Sequence, residues 1–175
     1  MELYRENEIA LYIEEIALKT IIIAAKQTPY LEAGGVLLGK KVKGWEKYIV
    51  TDVGIPTNYD KQGLLSFIRN KQKAQELTDF AWHESNGEVN HIGEWHSHIF
   101  PSPMPSWVDR CDMKRSYDDG EFVFDHFFSL IVSSDLRIYI GIIEKGDIVD
   151  YRVVRVDKEC IDIVRPLQKN KDATK

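Results

Sequence analysis

His96 and His98 stand two residues apart in VNHIGEWHSH, from Val89 to His98, a stretch that reads as a β-strand running into a proline-rich loop. Positions i and i+2 of a strand project from one face, so the two imidazoles can meet a single metal ion. Ser106 and Asp109 follow a loop that carries Pro101, Pro103 and Pro105. Such a loop is a stiff way to turn the chain into a helix whose first turn brings Asp109 back towards the histidines. Two neutral imidazoles and one carboxylate leave a fourth tetrahedral position open for water, which is the arrangement of catalytic rather than structural zinc sites. The chemistry expected is hydrolysis: the metal acidifies water and polarises a carbonyl, while a nearby base passes the proton to the leaving amine.

Plainer roles exist for the same residues. Ser106-Trp107-Val108-Asp109 also reads as a capping box at a helix start, which is compatible with facing a metal. Glu94 shares the strand face of His96 and His98 and competes as a ligand or as a partner of one imidazole, with an exposed or ion-paired role the simpler expectation. His83 and His91 have no spacing that singles out a second metal site and are expected at the surface, as are His126, Cys111 and Cys160. Trp82, Trp95 and Trp107 are expected in the core or along the cleft.

The elements that must position these groups are legible as patterns. Ile9, Leu11 and Ile13 alternate like a half-buried strand, and Ile13, Ile16, Ala17, Thr20 and Ala24 then fall at helical spacing until Pro29. GGVLLGKK, from Gly34 to Lys41, reads as a short buried strand, and KYIVTDVGI, from Lys47 to Ile55, as another. A polar loop around Asn58 to Gly63 precedes a helix from Lys71 to Glu84, and a third helix is predicted from Trp107 to Tyr117. SLIVSS, RIYIGIIE and IVDYRVVRV supply three late strands, the last two a hairpin. Strands and helices interleave without strict alternation, which predicts an α/β fold with a mixed sheet and flanking helices.

The 175 residues fit one domain, and 43% hydrophobic with 11% aromatic residues place the chain among folded globular proteins. A net charge of −5 gives no footprint for nucleic acid. Two cysteines, neither in a Cys-x-x-Cys pair, are read as reduced thiols. The charged start MELYRENEIA lacks the order of a signal peptide, and the apolar run from Ile16 to Ala25, interrupted by Lys19, falls short of the ~18–20 residues of a membrane span. A cytoplasmic protein without membrane partners is expected. The domain is expected over 1–167, with 168–175 a frayed tail.

EWHSHIFPSPMPSWVD, from Glu94 to Asp109, resembles the JAMM signature: His-x-His, seven residues, serine, two residues, aspartate. LEAGGVLLG, from Leu31 to Gly39, is similar to the Glu-x-x-Gly-x-Leu-x-Gly strand of the same family. The resemblance implies an MPN-type domain with a curved mixed sheet between helices, and a zinc metalloprotease holding one Zn2+ on His96, His98 and Asp109. It further implies Glu32 as general base and then acid, and Ser106 as hydrogen-bond donor to the developing oxyanion. GGVLLG together with FAWHESNGEVNHIGEWHSH, from Phe80 to His98, is most similar to small bacterial JAMM peptidases of CBASS antiphage operons. The implied substrate is a protein with an extended C-terminus, ubiquitin-like or a conjugated cyclic-nucleotide synthetase of the CD-NTase type, joined to lysine. Rival expectations are a JAMM hydrolase of small amides or sulfur-carrier fusions, and a non-catalytic MPN interaction domain. The family's proline after the second histidine is Ile99 here, with proline delayed to Pro101. Substrate-binding segments are expected at 56–71 and 110–128, the second including SYDDGEF.

Overall fold

The alternating apolar residues of the strands are distributed over two faces of one curled sheet. A computed structural model describes residues 2–6, 9–144, 146–156 and 161–163. Among these, nine strands pair in the order β1 (Glu2–Glu6), β2 (Ile9–Ile13), β4 (Lys47–Val53), β3 (Gly34–Lys41), β7 (Asn90–Ser97), β8 (His126–Val132), β9 (Arg137–Glu144), β10 (Asp147–Val156) and β11 (Ile161–Ile163). Pairing is antiparallel except between β2 and β4 and between β7 and β8. Three helices, α1 (Glu15–Gln27), α2 (Lys71–Glu84) and α3 (Trp107–Asp118), flank the sheet, and β5 (Lys61–Gln62) pairs with β6 (Phe67–Ile68) in a separate hairpin. This is the expected α/β class with a mixed, curved sheet.

Curvature can be read from one contact. Strands β4 and β8 are separated by β3 and β7, yet the Tyr48 hydroxyl lies 2.9 Å from Nδ1 of His126. The two meet across the concave face, where α1 buries Ala17, Leu18, Ile21 and Ala24 against Leu37, Trp95, Phe128 and Leu130. Each fully buried side chain of this kind contributes about 1.5–3 kcal/mol of transfer free energy. On the opposite face, Ala74 of α2 covers Val36 and Leu38, while Met113 of α3 packs with Phe127 and Ile143.

Several expectations are corrected. Strand β8 begins at His126, three residues before SLIVSS, and Phe127 and Phe128 are buried, so the stretch 110–128 ends inside the sheet. His126 is buried beside Tyr48 and Glu46 rather than at the surface. The charged start of the chain contributes an edge strand, β1, because Glu2–Glu6 pairs with β2. The tail 168–175 and Cys160 lie outside the described residues.

One irregularity matters for the site. In the β3–β7 pairing Leu37 faces Gly93 but Leu38 faces His91, so Ile92 is an extra residue on β7. Such a bulge shifts the alternation by one. Ile92 and Trp95 therefore both enter the α1 core, while His91 joins Glu94 and His96 along the other face. His91, expected at the surface, packs instead between the rings of Phe122 and Phe127 with centroids 5.3 and 5.5 Å away, and its Nε2 is buried without a hydrogen-bond partner.

Burial, helped by the charge of Arg69, pushes the His91 pKa from 6.5 down to about 4. The unfolded chain therefore takes up this proton first as pH falls, and stability is lost between pH 6.5 and about 4, by at most about 3 kcal/mol. We expect urea unfolding of His91→Gln to lose less stability than wild type over that window. Parallel stability profiles for the two proteins would show that His91 does not set the acid limb.

Candidate metal centre

Three elements deliver the candidate ligands. His96 lies near the carboxyl end of β7 and His98 just beyond it, where the His98 N–H donates to the Val132 carbonyl at 2.8 Å and extends the strand's path. Asp109 sits in the first turn of α3. The chain between them is pinned to the β8–β9 turn by the Ser134 N–H, which donates to the Phe100 carbonyl at 3.1 Å, and by the Arg137 guanidinium on the Pro101 carbonyl.

The helix start forms the capping box anticipated from its residues. The Asp109 N–H donates to Ser106 Oγ at 3.2 Å, and the Ser106 N–H donates to Asp109 Oδ2 at 2.6 Å. The same carboxylate faces the imidazoles: Asp109 Oδ1 is 3.4 Å from His96 Nε2, and Oδ2 is 3.4 Å from His98 Nε2. The two Nε2 atoms are 3.2 Å apart. For metal–ligand bonds of ~2.0–2.1 Å, a tetrahedron has edges of about 3.3 Å. Each of these separations, 3.2 Å between the imidazoles and 3.4 Å from each imidazole to its own oxygen of Asp109, is close to that edge, so the three side chains converge at the spacing of zinc ligands. His98 Nδ1 lies 2.9 Å from the Ser102 carbonyl, which selects the tautomer with a proton on Nδ1 and a free lone pair on Nε2. Among the described residues, this is the one group of three His, Cys, Asp or Glu side chains placed to share a metal.

Glu32 stands beside this triangle. It precedes β3, and its backbone is held from two sides: its N–H donates to the Gly63 carbonyl at 2.8 Å, and Gln62 Nε2 donates to its carbonyl at 3.2 Å. The neighbouring Ala33 exchanges hydrogen bonds with Ser97, N–H to Oγ at 2.9 Å and Ser97 N–H to carbonyl at 2.7 Å. Gly34 has no room for a side chain, because a Cβ would sit 2.5 Å from Phe67 Cδ1. That close approach seats the β5–β6 hairpin over the start of β3. Glu32 is 4% exposed, so it is a buried carboxyl and not a solvated charge before the strand.

Electrostatics follow from this crowding. Burial raises the Glu32 pKa and Asp109 adds to the rise, while His96 and His98 oppose it. For Asp109, burial favours the neutral acid, but hydrogen bonds from His96, His98 and Ser106 outweigh it and the carboxyl is held well below its usual range. Burial likewise depresses His98, but Asp109 and the Ser102 carbonyl more than offset it, so its pKa is raised. An anionic Asp109 and a proton-sharing His98 are the partners a cation would meet on replacing the protons.

A cleft of about 420 Å³ opens from Glu32, His96 and Asp109 and runs between α2 and α3 to His91. The expected substrate segments border it in part, 56–71 through Leu65–Arg69 and 110–128 through Asp112, Met113 and Ser116. Glu94 on its floor takes the expected ion-paired role, with Oε1 2.5 Å from Arg69 Nη2 and Oε2 accepting from Ser116 Oγ at 3.2 Å. Trp95 is buried and its indole N–H donates to the Gly54 carbonyl at 2.9 Å, but Trp107 is 78% exposed, neither core nor cleft wall. His83 is exposed, as expected. The Ser102 carbonyl, Arg69 and Ser116 were not singled out in the sequence; a backbone carbonyl leaves no trace there, and the other two are ordinary surface residue types.

A curled mixed sheet with this open His, His, Asp triangle beside a buried glutamate defines the JAMM class of hydrolase domains. The chain belongs to the family described as prokaryotic homologs of the JAB domain, which it matches over residues 14–152. Three relatives bear the name CD-NTase/cGAS isopeptidase. That of Pseudomonas aeruginosa is 36% identical over 84 residues, 48% of this chain and 52% of the relative. Those of Escherichia coli and Vibrio cholerae are 30% and 29% identical, covering 70% and 58% of this chain and 76% and 65% of their own. The matched stretch is thus about half the length of the first relative. Among the described residues, no helix is long and apolar enough to cross a membrane.

Loss of a serine cap costs about 1 kcal/mol. Metal-free Ser106→Ala should unfold at correspondingly lower urea than wild type, with Ser106→Asp recovering most of the difference. An unchanged midpoint in Ser106→Ala would mean that the box contributes nothing to α3.

Proposed function

We propose that the chain is a zinc-dependent isopeptidase that hydrolyses the amide between the C-terminus of a CD-NTase-type enzyme, or of a ubiquitin-like protein, and a lysine side chain. On this reading it reverses conjugation in bacterial antiphage signalling, in the cytoplasm. The observation that carries the proposal is the buried Glu32 carboxyl beside the three-ligand triangle of His96, His98 and Asp109. The names of the three relatives support the substrate class.

His96, His98 and Asp109 would hold one Zn2+ per chain. Zinc bound there supplies a Lewis acid for the scissile carbonyl and brings the pKa of water close to neutrality. Glu32 takes the proton of the attacking water and delivers it to the lysine amine as the C–N bond breaks, so the carboxylate is regenerated in each cycle. Burial suits it to both halves of that task, because a raised pKa makes the protonated carboxyl accessible nearer neutral pH. In the cap the Ser106 hydroxyl accepts the Asp109 N–H, and its O–H, which supports the Asp109 carboxylate, is the donor that would turn to the oxyanion. The His98 Nδ1 contact with Ser102 keeps the Nε2 lone pair turned to the site.

Glu32→Gln should bind zinc as wild type does, yet lose at least about a hundredfold in turnover. Asp109→Ala should lose zinc and activity together. Retained activity in Glu32→Gln would end the role given to that residue. The substrate is tested by a trap: tagged Glu32→Gln and wild type are expressed in the source cells, and adducts accumulating only with the variant are identified by mass spectrometry. Lysine-linked conjugates sharing one C-terminus are expected. If zinc binds but no protein-linked species accumulates, hydrolysis of small amides becomes the better reading.

A further inference from the structure

Glu94 is not used by the chemistry above, although it lies on the ligand face of β7, two residues from His96. Its two oxygens are divided between the walls of the cleft. Oε1 pairs with Arg69, which follows the β5–β6 hairpin, and Oε2 accepts from Ser116 on α3.

Helix α3 needs such an attachment. Met113 is its one buried residue among those described, and its far end is tied by Lys71 to Asp119 at 3.1 Å, a pair with both side chains exposed. Exposed pairs of that kind contribute little. Asp109, Met113 and Ser116 fall at i, i+4 and i+7, on one stripe of the helix. Ser116 is about 10 Å along the axis from Asp109 at 1.5 Å per residue. Glu94 and His96 are about 7 Å apart along the strand. With Asp109 at the histidines and Ser116 at Glu94, the helix is fastened to the strand at two points, and Met113 supplies the apolar contact between them. Met113 and Tyr117 add apolar contacts with Phe127 but fix no angle, so without the second polar point the tilt of α3, and with it the 3.4 Å contacts of the Asp109 carboxylate, would be less closely set. One oxygen of Glu94 is thus committed to Arg69 on the cleft floor and the second to Ser116.

We propose that Glu94 is a positioning residue for the metal centre: through Ser116 it sets the docking of α3 and so holds Asp109 in register with His96 and His98. The inference rests on the reading of that triangle as a zinc site. It is tested by measuring the zinc dissociation constant of the whole chain in competition with a chromophoric chelator. Glu94→Ala and Ser116→Ala should each weaken zinc by about tenfold, the scale of effects from groups that orient ligands. Glu94→Gln keeps an oxygen acceptor for Ser116 and should recover most of that loss, and Lys71→Ala, which removes the exposed tie from α2 to Asp119 at the far end of α3, should bind as wild type. At saturating zinc the kcat of Ser116→Ala should return to near that of wild type, and its urea midpoint without metal should lie near that of wild type, which a general loss of stability would not produce. Ser116→Ala removes a single hydroxyl and keeps a strong helix former, so it carries the test even if Glu94→Ala unfolds. Wild-type affinity in both alanine variants, within twofold, overturns the proposal alone. A wild-type chain that binds no zinc overturns it together with the metal reading.

Discussion

The carboxylate of Asp109 joins local folding to chemistry, and the rest of the site depends on its serving both. One oxygen receives the Ser106 N–H and closes the capping box, while the carboxylate as a whole completes the triangle with the two histidines. A group that had to be ionised only for a metal would suffer from burial, since removing a carboxylate from water favours its neutral form. Here the helix start assists: unsatisfied N–H groups and the positive end of the helix dipole stabilise the anion at the position where the proposed metal would meet it. Helix nucleation and the holding of an anion for that metal are thus one electrostatic event.

The second constraint is the register of β3 against β7. Gly34 pairs with His96, which places the residues just before β3 beside the carboxyl end of β7, and so brings Glu32 to a ligand sixty-four positions later in the chain. The bulge at Ile92 adds that His91, Glu94 and His96 share the cleft while Ile92 and Trp95 share the core. Without it, His91 would fall on the core face, where its imidazole would displace apolar packing under α1.

Much of this was legible in the residues themselves, and the reasons are local. The helices from Glu15, Lys71 and Trp107 and the strands at Gly34, Lys47 and Asn90 stand where their residue types and bounding turn signals place them, so pattern and structure agree. The meeting of His96, His98 and Asp109 was legible too, because i, i+2 on a strand and a cap at a fixed distance bring them together, with Glu94 the competitor on the same face. What escaped depends on the whole sheet. His126 and Phe127 look like loop residues until the parallel β7–β8 pairing claims them, and no local rule announces a contact between Tyr48 and His126 across a concave face. His91 was misread because one inserted residue reverses the alternation. Glu32 was legible only through its resemblance to a family strand; as a lone residue it reads as a solvated charge, and its burial is produced by a hairpin remote from it in sequence.

The two faces of the sheet divide the work of the molecule. Under α1 lies a continuous apolar core, and this face can keep the strands curled whatever happens at the site. The face under α2 and α3 is thinner: each of these helices buries one residue, with Leu77, Ala81 and Tyr117 partly buried beside them, and polar ties at Glu94, Arg69 and Ser116 add to these contacts. Apolar packing is non-directional, whereas hydrogen bonds and ion pairs fix distance and angle. On the proposed reading the cleft must admit a peptide and still hold three ligand atoms closely, and the second kind of contact suits that task better. The stability of the fold and the accuracy of the site therefore rest on different residues, and a substitution can damage the latter while leaving the former intact.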